Sequence, residues 1–176
     1  VNLLQLNPGE KVATIIPIKS FDDSKYIIMG TRNGIVKKTE LAEYKNMRKS
    51  GLIAVELRDD DELVNAKLAD ENDTIMMATR KGMSIRFSEE DIRATGRSSI
   101  GVRGINLNDD DYVIGMDVCK DDNETLLIVT ERGFGKRTAV GEYKVQNRGG
   151  KGLITYKVSE KTGELVGMMF VQDDRD

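Results

Sequence analysis

Thr31-Arg32-Asn33-Gly34-Ile35-Val36-Lys37-Lys38-Thr39 is answered by Thr79-Arg80-Lys81-Gly82-Met83-Ser84-Ile85-Arg86-Phe87. It is answered again by Thr130-Glu131-Arg132-Gly133-Phe134-Gly135-Lys136-Arg137-Thr138. The glycines Gly34, Gly82 and Gly133 stand 48 and 51 residues apart. A period near fifty residues marks a repeat architecture, in which function resides in a surface built by repetition. What repeats is a basic hairpin. Asn33-Gly34 is its clearest turn, because Gly supplies the positive φ that a two-residue hairpin turn requires.

Working outward from the turn, the residues before it (26–31, 74–79 and 125–130) are short apolar runs bounded by Asp, Asn and Gly, as strands are. Those after it (35–39, 83–87 and 134–138) alternate apolar side chains with Lys or Arg, which predicts one packed face and one charged face. Ser88-Glu89-Glu90-Asp91 then reads as a capped helical turn, with counterparts at 40–44 and 140–143. A Gly-containing basic loop leads to a fourth strand at 51–57, 101–107 and 152–158. Apolar runs at 12–17, 63–68, 113–118 and 165–170 open the units.

Four short strands per repeat predict an all-β, propeller-like fold with blades of about fifty residues. Repeats fall at approximately 11–61, 62–111 and 112–164, with partial blades at 1–10 and 165–176. Three complete blades make an arc, so the expectation is a single fragment of a longer ring.

Charged residues are 32% of the 176 and apolar ones 39%, a globular composition, and no apolar run approaches a membrane span. Histidine is absent and Cys119 is alone, which removes the commonest general base, the commonest metal ligand and any internal disulfide. Cys119 adjoins an apolar run and reads as a small core residue. The runs Asp59-Asp60-Asp61-Glu62 and Asp109-Asp110-Asp111 lack the glycine spacing of a calcium loop and read as solvated turns. Neither a catalytic site nor a metal site is expected, and a hydrolase or lyase is disfavoured.

The net charge is −3, yet the charge is banded. Residues 31–50 hold Arg32, Lys37, Lys38, Lys45, Arg48 and Lys49 against Glu40 and Glu43. Residues 130–152 hold Arg132, Lys136, Arg137, Lys144, Arg148 and Lys151 against Glu131 and Glu142. The stretch 56–74 between is strongly acidic. Bands in phase with the repeat place positive charge along one rim, a footprint for a polyanion. With no Trp and aromatics at 5%, stacking on single strands fits poorly, and the duplex phosphate backbone fits better. The rival reading is a protein-binding propeller scaffold.

Gln146-Asn147-Arg148-Gly149-Gly150-Lys151-Gly152 resembles the gyrase-A box, Gln-Arg-Arg-Gly-Gly-Arg/Lys-Gly, of the DNA gyrase A C-terminal domain. Gly101-Val102-Arg103-Gly104-Ile105 and Lys136-Arg137-Thr138 are similar to the same family, the C-terminal domains of type IIA topoisomerase A subunits, and the likeness runs along the whole chain. Asn147 stands where the box has its first Arg, and the loop lies in the last complete repeat rather than the first. It reads as an echo of the box, and the family's gyrase branch is favoured over topoisomerase IV.

The resemblance implies a β-pinwheel whose blades exchange strands and whose basic perimeter bends duplex DNA. It implies a non-catalytic wrapping module of an ATP-dependent supercoiling enzyme. ATP, Mg and the cleaving residues would lie elsewhere, no cofactor would bind this chain, and the setting would be cytoplasmic and nucleoid-associated. The partners implied are double-stranded DNA, the rest of the gyrase A protein and the gyrase B protein, with no membrane. The cations assigned to phosphate contact are Arg32, Lys37, Lys38, Arg48 and Lys49 in the first repeat. In the second they are Arg80, Lys81, Arg86, Arg97 and Arg103, and in the third Arg132, Lys136, Arg137, Arg148 and Lys151. Gly149 and Gly150 are expected to let the backbone approach a phosphate.

Overall fold

A computed structural model describes residues 6–21, 25–46, 48 and 51–172. Each repeated hairpin forms: β1 (Tyr26–Thr31) with β2 (Ile35–Glu40), β4 (Thr74–Thr79) with β5 (Met83–Ser88), and β8 (Thr125–Thr130) with β9 (Gly135–Ala139). Gly34, Gly82 and Gly133 have φ of +81°, +88° and +80°. The hairpin is therefore held by glycine at the one place where an L side chain would be strained.

The chain then exchanges strands. β3 (Leu63–Ala69), which follows the first hairpin by more than twenty residues, pairs antiparallel with β1 on its inner side. β6 (Val102–Arg103) comes from the next repeat and pairs with β2 on its outer side. The second sheet repeats the plan, with β7 (Val113–Cys119) inside β4 and β10 (Leu153–Ile154) outside β5. The third holds β11 (Leu165–Val171), β8 and β9, and the sheets do not close into a ring. The apolar runs expected at the head of each repeat thus bond into the sheet of the preceding hairpin. The structure is the strand-exchanged, all-β pinwheel that the resemblance implies.

Backbone hydrogen bonds fix the exchange at the same places in the first two blades. Gly34 C=O accepts from Gly104 N (2.7 Å) and Ile105 N (3.2 Å). Gly82 C=O accepts likewise from Thr155 N (2.8 Å) and Tyr156 N (3.2 Å). Val113 N donates to Arg32 C=O and Leu165 N to Arg80 C=O, both at 2.9 Å, tying each inner strand to the tip of the blade before it. A side chain at Gly82 would drive into the Tyr156 carbonyl, so the turn is sterically as well as conformationally committed to glycine.

The inner strands β3, β7 and β11 lie next to one another, which puts them toward the centre and β6 and β10 on the periphery. The core is three slabs, two of them between blades. One joins Ile28, Val36, Ile75, Ile85, Phe87 and Val113 across the first two sheets. A second joins Met76 to Leu126, Ile128 and Tyr143 across the second and third. The third slab covers Ile27, Met29 and Leu41 with Ile16, Ile18, Ala54 and Val55. Fully burying one such side chain contributes about 1.5–3 kcal/mol.

Of residues 12–17 and 51–57, expected as strands, Ile16, Ala54 and Val55 pack on that last slab, but neither stretch enters a ladder. In the complete sheets the matching inner and outer strands flank a hairpin, and no hairpin among the described residues lies between these two. Among the described residues no helix is long and apolar enough to cross a membrane.

Candidate nucleic-acid interface

The cations expected on one rim occupy three different environments. At the first two hairpin tips they are engaged by neighbouring groups. The Arg32 guanidinium lies 4.0 Å from the Tyr112 ring centroid and 3.7 Å from Glu62. Arg80 shares that ring at 4.7 Å, ion-pairs with Glu164 at 3.2 Å and donates to the Asp110 carbonyl. Lys81 donates from Nζ to the Asp109 carbonyl (2.8 Å) and from its backbone N to Asp111 Oδ1 (3.0 Å). Asn33 N donates to Asp61 Oδ1 at 2.9 Å. The acidic turns are therefore more than solvated loops: they fasten the hairpin tips. Arg132, on the third tip, is exposed.

In the third strands of the first two blades, the cations are inside. Lys37 is 1% exposed, Lys38 8% and Arg86 7%. These positions do not face solvent, because β5 is covered on both faces by neighbouring blades and β2 by the second blade on one face and the 12–18 and 52–57 segments on the other. Lys37 Nζ donates to the carbonyls of Ala54 (2.8 Å) and Arg97, and burial pulls its pKa down to about 8. Lys38 lies 4.2 Å from the Tyr26 ring centroid and ion-pairs with Glu89, itself 2% exposed. Arg86 Nε donates to Thr74 Oγ1 (2.9 Å). Its Nη1 reaches the carbonyls of Val140 (3.2 Å) and Tyr143 (3.3 Å), and Nη2 pairs with Asp122.

Glu89 and Val140 begin equivalent 3-10 turns, so Lys38 and Arg86 each clamp a blade to the turn of the next. In the third sheet Lys136 and Arg137 are exposed, and Arg137 repeats the first half of the pattern by bonding Thr125 Oγ1 at 2.8 Å.

The third environment is the strap between each 3-10 turn and its outer strand. Thr95 N donates to Lys38 C=O (2.9 Å) and Gln146 N to Arg86 C=O (2.8 Å), so the strap runs along the outer edge of the preceding sheet. Arg97 Nη1 donates to Ile53 C=O (3.2 Å); Arg148, one repeat on, donates from Nη1 to Arg103 C=O (2.5 Å) and from Nε to Asp91 C=O (3.0 Å). Gly149 N donates to Gly104 C=O, and Gly150 C=O accepts from Asn106 N, both at 2.8 Å. Gly152, with φ +74°, lies against the Ser84 carbonyl where a Cβ would collide. Gly149 N–H and Gly150 C=O thus tie the box-like loop to the outer strand at 101–107, while Gly150 itself is exposed. Asn147 and Lys151 are exposed on its outside, and Gln146 is half-buried.

What remains facing outward along the straps is Arg48, Arg103 and Lys151, joined by Lys45, Arg93 and Lys144. The last three follow Tyr44, Ile92 and Tyr143, one in each repeat, and are absent from the cations assigned above from sequence. Their recurrence at one aligned place is the signal that could have found them. Lys49 lies outside the described residues. Cys119 is buried, and burial pushes its thiol up to about 11, so it is no nucleophile at neutral pH. Among the described residues no cluster of His, Cys, Asp and Glu could hold a metal ion.

A strand-exchanged arc of blades with cation-bearing straps around its outside defines a propeller-class module. The family model described as "DNA gyrase C-terminal domain, beta-propeller" matches residues 25–70, 73–120 and 124–172, and the chain belongs to that family. The DNA gyrase A subunit of Clostridium acetobutylicum is 56% identical over 173 residues, 98% of this chain and 21% of that protein. That of Mycolicibacterium smegmatis is 42% identical over 177 residues, 99% of this chain and again 21% of the relative. A solved C-terminal domain of DNA gyrase A superposes with TM-score 0.86 at 29% identity, covering 98% of this chain and 57% of that one. One of DNA topoisomerase IV gives 0.87 at 30%, covering 96% and 53%. The chain spans about a fifth of the curated relatives' length.

Proposed function

We propose that this chain is a DNA-binding and DNA-bending module of the gyrase A protein, working through the outer straps and carrying no chemistry of its own. The observation that supports the reading is the exposed cation at the same step of every repeat, Lys45, Arg93 and Lys144, with Arg103 and Lys151 beside the outer strands. Charges spaced along a curved perimeter suit phosphates of a duplex bent around it, without base readout. Bending a short duplex costs a few kcal/mol, which distributed phosphate contacts offset.

In the longer enzyme such wrapping would present a DNA segment for strand passage and so support ATP-dependent negative supercoiling. The gyrase B protein and the rest of the gyrase A protein would be its partners, and ATP, Mg and the cleaving residues would lie in those parts. The relatives of 42–56% identity favour gyrase over topoisomerase IV, since both are gyrase A proteins. The test is a salt series of binding to a short duplex and to one long enough to span several blades. A steep salt slope and a clear gain on the longer duplex are expected. Weak binding independent of duplex length would favour the protein-scaffold reading.

A further inference from the structure

Arg103 stands on the outermost strand of the first sheet, paired across the ladder with Ile35, and Ile154 of the second sheet pairs with Met83 at the same register. Ile53 follows Gly51 by two residues, as Arg103 follows Gly101 and Ile154 follows Gly152. One step on the outer edge therefore reads Ile, Arg, Ile in successive repeats, with Ile53 70% and Ile154 72% exposed. The strap step behaves otherwise and carries a cation in all three, Lys45, Arg93 and Lys144. A position that met phosphate oxygens in each blade would keep its charge. Isoleucine on both sides marks a place that faces something other than phosphate. The backbone at Arg103 is fixed: its C=O accepts from Arg148 Nη1, and Gly104 accepts from Gly149 N and donates to Gly34 C=O. The Arg103 side chain is exposed and makes no hydrogen bond or ion pair with the described residues. Arg148 and Gly149 tie its strand to the third strap, on which Lys144 and Lys151 are exposed.

We propose that the Arg103 guanidinium enters the minor groove of the bent duplex where that groove faces the protein, and so gives the module a preference for A·T steps there. A duplex bent toward a perimeter is compressed on its inner side, and its minor groove narrows wherever it faces in. Narrowing concentrates negative potential in the groove. Arginine suits that place better than lysine, because a guanidinium is more weakly hydrated than an ammonium and loses less on leaving water. Tracts of A·T already hold the narrow form, so sequence is read through groove width and not through base edges. The inference rests on the DNA-bending reading above. It moves Arg103 from phosphate to groove and adds a sequence preference at one point of the perimeter.

The test measures binding of the whole chain, across a salt series, to two duplexes long enough to span several blades. They are alike except for a central tract, A·T in one and G·C in the other. Hydroxyl-radical cleavage of each complex reports which part of the minor groove is covered. Arg103→Lys keeps the charge, and Arg103→Ile installs the residue that the neighbouring repeats carry at this step. The unaltered chain is expected to favour the A·T duplex about fivefold and to protect a short stretch of the tract. Both variants are expected to bring that ratio close to one and to lose the protection, with the salt slope kept in Arg103→Lys. A tract preference and protection that persist in either variant would overturn groove entry by Arg103. So would an unaltered chain that binds both duplexes equally, an outcome that leaves salt-dependent binding and the DNA reading intact. Absence of any salt-dependent duplex binding by the unaltered chain would count against the DNA reading itself, and the groove assignment would fall with it.

Discussion

Two regions of the molecule use the same residue types for opposite purposes. At the hairpin tips Arg32, Arg80 and Lys81 are held by Glu62, Glu164, Tyr112 and the 109–111 turn. Along the straps Arg93, Arg103, Lys144 and Lys151 are exposed and ion-pair with none of the described residues. A cation already held by a neighbouring carboxylate, ring or carbonyl has less to gain from a phosphate than one facing solvent with none. Position within the blade therefore decides what a basic residue does, and counting Lys and Arg does not.

The largest effect should come from the buried contrast to both regions. Glu89 occupies the place of Leu41 and Val140 and is paired with Lys38 between blades. Glu89→Ala leaves an ammonium buried without its partner and should cost about 3–5 kcal/mol in denaturant unfolding. The double change Lys38→Met with Glu89→Leu restores the apolar plan of the neighbouring turns and should recover most of that loss. If Glu89→Ala unfolds like the parent chain, the clamp between blades is not a structural element.

Arg148 sharpens the comparison, since it belongs to the strap yet donates to backbone carbonyls. Arg148→Ala should lower stability by about 1–3 kcal/mol while leaving the salt slope of duplex binding in place. A flattened slope with unchanged stability would return Arg148 to the phosphate-contacting set.

A further contrast is in pH dependence. Lys37 has a folded pKa of about 8, below the usual lysine value of 10.5, because burial disfavours its charged form. Between those values the unfolded chain binds the extra proton, so this group makes stability rise with pH from about 8 to 10.5. Unfolding free energies of the parent and Lys37→Met measured across that window should converge toward its upper end. A difference that stays constant with pH would mean that Lys37 is charged throughout.

Much of the fold is legible in the sequence because glycine punctuates it. Gly34, Gly82 and Gly133 mark every hairpin, and alternating apolar runs mark the strands on either side. Which hairpin each flanking run joins is not legible. A strand heading one repeat and a strand closing the sheet of another carry the same apolar pattern, and the choice is made by the Gly34 and Gly82 carbonyls in three dimensions.

The site is half legible for a related reason. Alternation of Lys with apolar residues in β2 predicts a solvent face, but β2 is covered on one face by the second blade and on the other by the 12–18 and 52–57 segments, so Lys37 and Lys38 turn inward. In β9, which no later sheet among the described residues covers, Lys136 and Arg137 are exposed as the period-two rule expects. Of the box-like glycines, expected to open the backbone to a phosphate, Gly149 gives its N–H to Gly104, while Gly150 bonds Asn106 through its carbonyl and is exposed. Lys45, Arg93 and Lys144 each sit in an inconspicuous turn, and only alignment of the three repeats brings them together.

The most direct test of the account is the salt slope of duplex binding for two matched triple variants. One removes Arg93, Lys144 and Lys151 from the straps, and the other removes Arg32, Arg80 and Lys81 from the tips. The slope is predicted to fall by about 0.9 for each strap cation in phosphate contact and to stay at the parental value for the tip variant. Equal losses in the two variants, or a loss confined to the tips, would contradict the assignment of DNA binding to the perimeter straps.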